Sequence, residues 1–174
     1  GLPADKVRII GKNVGGGFGG KEDLSVQHHA ALLAWHTGHP VKMTMDRIES
    51  IRSSTKRHAM EMEYTVACDE NGVLTAIKAR ILANKGAYAS LGSHVLRRAC
   101  THAGGPYKIP NVAIEGISVY TNDCPGGAFR GFGVTQTCFA MESCLNYLAG
   151  HVGISPWEIR YLNAVEPGDT LPND

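Results

Sequence analysis

The chain has 174 residues, enough to bury a hydrophobic core, with 43% hydrophobic residues and a formal net charge of only +1. No basic stripe indicates a nucleic-acid partner. No apolar run approaches the roughly 20 residues that span a membrane, and the N-terminal segment lacks the pattern of a signal peptide. The five cysteines include no C-x-x-C pair, so we expect free thiols and a reducing, cytoplasmic setting.

The first third of the chain is predicted to contain two short strands on either side of a helix. Lys6–Ile10 has the apolar character of a buried strand that leads into a glycine-rich loop. A helix is expected over residues 24–37, with Asp23 as its N-cap and Gly38 at its end. Val41–Met45 is expected to form the second strand.

The middle of the chain has the pattern of a hairpin followed by a helix and a further strand. Met60–Cys68 alternates apolar and polar residues with period two, Asp69–Gly72 is a turn, and Val73–Ala83 is the returning arm. A short helix is predicted at Val95–His102, and another strand at Val112–Tyr120.

Two helices are predicted near the C-terminus. The first covers Gln136–Leu148, with a buried face at 3.6-residue spacing that includes Phe139 and Tyr147. The second opens at Ser155-Pro-Trp-Glu158, a capping box with proline at the first helical position. Helices mix with antiparallel hairpins, so the sequence predicts an α+β fold, with residues 1–174 as a single segment.

The first glycine-rich loop, Gly15–Gly20, satisfies G-x-G-x-x-G between a predicted strand and a predicted helix. Its glycines permit positive φ angles and a close approach of backbone N–H groups to a ligand. A dinucleotide site is one interpretation, but that site needs an acidic residue about 20 residues further on, and Asp46 comes too late. A tight loop whose glycines only allow packing is the other interpretation.

The second glycine-rich loop, Gly126–Gly133, carries Phe129, Arg130 and Phe132 among small residues. It leads directly into a predicted helix, whose N-terminus then faces the loop. The arginine is a fork of donors suited to an anionic or carbonyl-bearing group. Anchoring of the aromatic rings in the core is the alternative.

Taken together, VGGGFGGKE at 14–22 and GGAFRGFG at 126–133 resemble the molybdenum-cofactor-binding large subunit of the xanthine dehydrogenase and aldehyde oxidase family. KGAYASLGSHVLRRA at 85–99, PYKIPN at 106–111 and PWEIRYLNAVEPGD at 156–169 match the same family in the same order. The resemblance implies that the chain is the central part of a molybdopterin-binding domain and a fragment of a larger subunit.

Members of this family hydroxylate N-heterocycles or aldehydes with oxygen from water, on a molybdenum that is held by a pterin and not by protein side chains. The resemblance implies molybdenum–molybdopterin, in its simple or cytosine-dinucleotide form, with iron–sulfur and flavin (FAD) groups on other domains or subunits. The family's glutamate base, in a G-E-P-like context, has no counterpart here. The fragment alone is therefore expected to be inactive.

The motif match also implies roles for individual residues. Six residues are expected around the cofactor: Gly17, Phe18, Gly19, Phe129, Arg130 and Gly131. Phe132 would stack on a planar substrate. Glu22 and Arg98 match the positions with which xanthine-type enzymes grip a purine, where the arginine stabilises negative charge on a ring carbonyl.

Glu22 and Arg98 also have ordinary interpretations. An acidic residue is favoured in the first turn of a helix, and an arginine in a short helix commonly faces solvent; adjacent Arg97 leaves the register open. With both residues in substrate-gripping roles, the predicted substrate is a purine or related N-heterocycle. The alternatives are an aldehyde oxidase-type enzyme, a nucleotide-dependent dehydrogenase and a non-catalytic cofactor scaffold.

Overall fold

The computed structural model describes residues 2–171 and contains one mixed three-stranded sheet with the strand order β1-β2-β3. The strands are β1 (Met60–Cys68), β2 (Leu74–Gly86) and β3 (Asn111–Tyr120). β1 and β2 form the predicted antiparallel hairpin, in which Tyr64 lies opposite Ala79. β2 and β3 are parallel, with Ala79 opposite Ile114. The α+β class is confirmed, and the third strand, β3, pairs with β2 in parallel.

The helices are α1 (Gln27–Thr37), α2 (Arg47–Ser53), α3 (Gly92–Thr101), α4 (Val134–Val152) and α5 (Pro156–Asn163). α3 is the crossover that a parallel pair such as β2 and β3 requires. α3 and α4 pack on the sheet, and α5 packs on α4. The longest of them, α4, has 19 residues, and no helix within residues 2–171 has the length and apolar character to cross a membrane.

The core lies between the sheet and the two C-terminal helices. Its fully buried side chains include Leu74 and Ile77 from β2 and Met141 and Leu145 from α4. The predicted face of α4 is wrong, because Phe139 and Tyr147 are 73% and 74% exposed. α4 has apolar residues on more than one side, and periodicity alone does not say which side the sheet covers.

The two strands predicted in the first third of the chain are wrong. Lys6–Ile10 begins in a 3₁₀ turn and continues without sheet pairing, and Val41–Met45 is also unpaired within residues 2–171. An extended segment becomes a strand only when a neighbour satisfies its backbone hydrogen bonds. Asp46 then opens α2 with a capping box, in which Asp46 and Glu49 each accept the other's backbone N–H at 2.8 Å.

The helix and strand ends differ from the predictions by a few residues. α1 begins at Gln27 rather than near residue 24, and Val26 is its N-cap instead of Asp23. α5 follows the predicted capping box, where Ser155 Oγ accepts the Glu158 N–H at 3.1 Å. Hydrogen bonds from Ser155 lower the pKa of the Glu158 carboxyl, as expected for a carboxylate that accepts donors at a helix N-terminus.

Asn163 joins α5 to the hairpin turn and is only 1% exposed. Its Oδ1 accepts the Leu74 N–H at 2.8 Å, and its Nδ2 donates to the Gly72 carbonyl at 2.9 Å.

Asn163→Ala leaves both backbone groups without a partner, so we expect the free energy of unfolding to fall by about 2–4 kcal/mol. Chemical denaturation measures this loss. Asn111→Ala, which removes an exposed amide bonded to Thr75, is the control, and an equal loss in the two variants would contradict the prediction.

Candidate functional site

The two glycine-rich loops are in direct contact. The Arg130 N–H donates to the Phe18 carbonyl at 3.0 Å. Gly19 has a φ of +88°, and a Cβ built on it would lie 2.4 Å from the Ala128 carbonyl oxygen. Real Cβ atoms do not approach so closely, so only glycine allows this contact between the loops.

The second loop is fixed to the carboxyl end of β2. The Gly126 N–H donates to the Lys85 carbonyl at 2.8 Å, and the Gly127 N–H donates to the Lys56 carbonyl at 2.9 Å. α4 begins at Val134, directly after the loop, so the predicted helix N-terminus does face it. The loop therefore occupies the position at the end of a parallel strand where α/β proteins often bind ligands.

One aromatic residue in each loop has an unusual backbone angle. Phe18 and Phe132 have φ angles of +54° and +52°, in the left-handed region that non-glycine residues rarely adopt. Phe18 is 66% exposed, and the Arg130 guanidinium carbon lies 5.8 Å from the centre of its ring. Backbone strain of this kind is concentrated at functional sites.

Glu22, just after the first loop, and Arg98, on α3, are both exposed. Neither side chain forms an ion pair or a hydrogen bond with any residue that the structure describes, and they do not contact each other. Asp23, next to Glu22, accepts Ser90 Oγ at 2.8 Å and 3.0 Å on its two carboxylate oxygens. Ser90 lies two residues before the start of α3, the helix that carries Arg98, so this pair ties the Glu22 segment to α3. Asp23 has this role instead of the predicted N-cap.

α3 also contacts the end of the second loop. A Cβ on Gly133, whose φ is +98°, would lie 2.4 Å from the Val95 carbonyl oxygen. Arg98 lies one helical turn beyond Val95 on the exposed surface. Arg97 is exposed as well, so exposure alone does not distinguish the two arginines.

Two further residues of the site, Arg57 and His58, are not among those predicted from the sequence. The Arg57 guanidinium donates to the Arg130 carbonyl at 2.7 Å and lies 4.3 Å from the centre of the Phe129 ring. His58 is 3% exposed and lies under Gly126, where an added Cβ would be 2.7 Å from Nε2. Both residues precede β1 in a polar stretch that carries no local motif for such a role.

Neither ring nitrogen of His58 has a hydrogen-bond partner within residues 2–171. Burial lowers the pKa of the His58 imidazole, and the positive charge of Lys85 lowers it further. The ring is therefore held neutral beneath the second glycine-rich loop.

Lowering the pH from about 7.5 to about 5.5 is expected to destabilise the protein in part through His58. In the unfolded chain the imidazole gains a proton below about pH 6.5, whereas the folded state resists protonation. The unfolded state then binds more protons, so the free energy of unfolding falls as the pH falls. Denaturation midpoints at the two pH values should differ less in His58→Asn than in the wild type. Exposed His94→Asn is the control, and an unchanged pH dependence in His58→Asn would refute the assignment.

The first loop has a series of backbone N–H donors that are unpaired among the described residues. Within residues 2–171, none of the backbone N–H groups of Gly15–Gly19 donates a hydrogen bond to the protein. A Cβ on Gly15 or Gly17 would meet nothing within 4 Å. Free N–H groups, open space and the Arg130 guanidinium suit an organic group with several acceptor atoms or a phosphate. The part of the chain that the structure describes has no cluster of three His, Cys, Asp or Glu side chains that could hold a metal ion.

The first loop does not have the geometry of a dinucleotide fingerprint. That motif requires a strand directly before the glycines and a helix directly after them. Here Lys6–Ile10 is unpaired, and residues 21–26 separate Gly20 from the start of α1 at Gln27. The site instead consists of two loops from distant parts of the chain.

Comparison with known proteins gives matches over nearly the whole chain. The family model of the molybdopterin cofactor-binding domain matches residues 1–164. The nicotinate dehydrogenase large molybdopterin subunit of Eubacterium barkeri is 49% identical over 170 residues, which are 98% of this chain and 40% of that subunit. Xanthine dehydrogenase of Emericella nidulans is 36% identical over 171 residues, which are 97% of this chain and 12% of that protein.

The solved structures give the same result. Aldehyde oxidoreductase from Desulfovibrio gigas is similar with a TM-score of 0.88 and 36% sequence identity, over 91% of this chain and 17% of that chain. Quinoline 2-oxidoreductase from Pseudomonas putida is similar with a TM-score of 0.81 and 37% identity, over 90% of this chain and 20% of that chain. The chain spans less than half the length of each of these relatives.

Proposed function

The chain belongs to the molybdopterin cofactor-binding domain family, and we propose that it forms part of a molybdenum hydroxylase that acts on a purine or a related N-heterocycle. The observation that carries this proposal is the contact between the two glycine-rich loops, in which the Arg130 N–H donates to the Phe18 carbonyl at 3.0 Å. This contact joins the two motifs that the family resemblance assigns to one site.

In this proposal the cofactor is held mainly by backbone atoms. Gly17–Gly19 contribute free N–H groups and space for a close approach, and Phe129–Gly131 form the facing wall. When bound, the molybdopterin would supply the molybdenum centre at which the substrate is oxidised with oxygen from water. The task of the chain is to orient the reactants, because positioning alone contributes several kcal/mol to catalysis, on the order of 7–11 in the best cases.

Three side chains are proposed to bind the substrate. The half-buried Phe132 ring would stack on a planar heterocycle, and the Glu22 carboxylate would accept a ring N–H. The Arg98 guanidinium would stabilise negative charge that develops on a ring carbonyl. The absence of ion pairs or hydrogen bonds from the Glu22 and Arg98 side chains within residues 2–171 supports this role, since both charges are free to face a ligand.

The substrate class draws support from the relatives. One is named for nicotinate and another for xanthine, and both compounds are N-heterocycles. The relative named as an aldehyde oxidoreductase supports the alternative, an aldehyde substrate. Neither an aldehyde nor nicotinate has a ring N–H for Glu22 to bind, whereas xanthine does, so the role proposed for Glu22 favours a purine.

The remaining proposals concern the environment of the domain. Iron–sulfur and FAD groups on other domains or subunits would carry the electrons away, and the pterin would be the simple or the cytosine-dinucleotide form. The five cysteines, all free in the described residues, support a reducing cytoplasmic location.

Metal and pterin analysis of the full-length subunit tests the proposal. Protein purified from a molybdate-fed host is expected to contain molybdenum and a pterin, and to oxidise xanthine, hypoxanthine or nicotinate faster than benzaldehyde. Absence of molybdenum would refute the proposal, and bound NAD would support a dehydrogenase instead. Bound cofactor without turnover of any of these compounds would favour the non-catalytic scaffold.

A further inference from the structure

We propose that Arg57 is the positioning residue of the second glycine-rich loop and holds the turn that carries Phe132 in its working conformation. Its importance for catalysis rests on the function proposed above. Its effect on the loop can be measured without the cofactor.

The contacts of Arg57 lie on both sides of the turn Gly131–Gly133, which carries Phe132. Nη2 donates to the Arg130 carbonyl at 2.7 Å, and Nη1 donates to Thr135 Oγ1 at 2.7 Å and to Gln136 Oε1 at 3.3 Å. One guanidinium therefore bonds to the residue before the turn and to two residues after it. The same group stacks on the Phe129 ring at 4.3 Å, which adds a cation–π contact.

The turn between these contacts needs support. Gly131, Phe132 and Gly133 have φ angles of +90°, +52° and +98°, three successive residues in the left-handed region. A phenylalanine in this conformation is strained and persists only where its surroundings fix it. Within the turn, the Phe132 N–H donates to the Phe129 carbonyl at 2.7 Å and the Val134 N–H donates to the Gly131 carbonyl at 3.1 Å.

The chemistry of arginine suits this task. A guanidinium is a rigid planar fork, so simultaneous bonds to Arg130 and Thr135 fix the distance between the two ends of the turn. Arg57 forms no ion pair with a carboxylate in the described residues, so its hydrogen bonds to the loop are not shared with an acidic side chain. Gln136 extends the arrangement, because its Nε2 donates to the His58 carbonyl at 3.1 Å. A lysine at position 57 would carry its three donors on one nitrogen, without the fixed spacing of the two guanidinium nitrogens that bridge the turn.

The test compares Arg57→Gln and Arg57→Lys with the wild type in the full-length enzyme. Arg80→Gln is the matched control, because Arg80 pairs with Glu115 at 3.3 Å and both lie on the sheet face opposite α3. Hydrogen–deuterium exchange of peptides covering residues 129–136 is measured in cofactor-free protein. Molybdenum content, kcat and KM are measured in loaded enzyme.

In Arg57→Gln, exchange at 129–136 is expected to become about tenfold faster, the change for losing a hydrogen bond to a charged group. We expect kcat to fall about tenfold or more, with a smaller change in KM, because Phe132 is held less well. Arg57→Lys should restore only part of both properties, and Arg80→Gln should match the wild type.

Unchanged exchange in Arg57→Gln would overturn the proposal. Faster exchange with an unchanged kcat would overturn its catalytic part. If Arg57→Gln does not fold, Thr135→Val tests the proposal in its place, since this variant keeps the arginine and removes one of its acceptors. Unchanged exchange at 129–136 in Thr135→Val would refute the proposal. If the wild type holds no molybdenum, the proposed function fails, and the exchange measurement still decides the role of Arg57.

Discussion

Replacing Gly19 with valine is expected to lower turnover of the full-length enzyme about 100-fold or more, together with its molybdenum content. A Cβ at this position would lie 2.4 Å from the Ala128 carbonyl oxygen, and the φ of +88° is unfavourable for any side chain. The loops would have to separate, which would break the hydrogen bond between the Arg130 N–H and the Phe18 carbonyl. Both sides of the proposed cofactor site would then be displaced.

Metal analysis together with steady-state kinetics measures this effect. Gly11→Ala is the control, because a Cβ on Gly11 meets nothing within 4 Å and the residue precedes the loop. Normal molybdenum content and normal turnover in Gly19→Val would mean that the contact between the loops is not part of the cofactor site. A thermal unfolding midpoint close to that of the wild type would attribute the loss to the site rather than to global unfolding.

Replacing Glu22 or Arg98 with alanine is expected to lower kcat/KM for xanthine, which has both ring N–H groups and ring carbonyls, by about 100-fold while molybdenum content stays normal. Each side chain is exposed and has no protein partner within residues 2–171, so its removal leaves no buried group unsatisfied and should not disturb the fold. The loss should be smaller for nicotinate and for an aldehyde, neither of which has a ring N–H or a ring carbonyl to engage these groups.

The measurement is kcat/KM for xanthine, nicotinate and benzaldehyde with the wild type and each variant. Arg97→Ala is the matched control for Arg98→Ala, since the two arginines are adjacent and both exposed. A larger effect at Arg97 would move the substrate role by one residue along α3. Loss of molybdenum in Glu22→Ala would assign this residue to the cofactor and refute its role in binding the substrate.

The parts of the fold that depend on local chemistry could be predicted from the sequence. The alternation in Met60–Cys68 and the following turn define the β1–β2 hairpin, because side-chain direction and turn geometry are local properties. The capping box at Ser155 defines the start of α5 for the same reason. The parallel pairing of β3 with β2 depends on where the α3 crossover returns the chain, and no residue of Asn111–Tyr120 encodes that position.

The errors have a physical cause in common. Lys6–Ile10 and Val41–Met45 have the composition of strands, but no sheet neighbour within residues 2–171 supplies their hydrogen bonds. The 3.6-residue spacing places Phe139 on the predicted buried face, whereas the sheet covers the side of α4 that carries Met141 and Leu145. In each case the structure of the segment depends on a packing or pairing partner that is distant in the chain.

The residues of the site also differ in whether local sequence or distant contacts determine their roles. Its glycine-rich motifs are local and could be recognised, and the structure brings the two loops into contact. Arg57 could not be found, because its acceptors are a backbone carbonyl and two side chains that are 73, 78 and 79 residues away. The roles of Glu22 and Arg98 remain predictions until substrates are tested.

The hydrogen bond from Arg130 to Phe18 also sets an order of events during synthesis. It closes a long loop of chain that contains all three strands and α3, and closing so long a loop costs conformational entropy before the contact is gained. While the polypeptide is emerging from the ribosome, Gly15–Gly20 has no facing wall until residues 126–133 have been made and packed. The proposed cofactor site is therefore complete only after this part of the chain has been made and packed, and we expect the cofactor to enter after the two loops have come together.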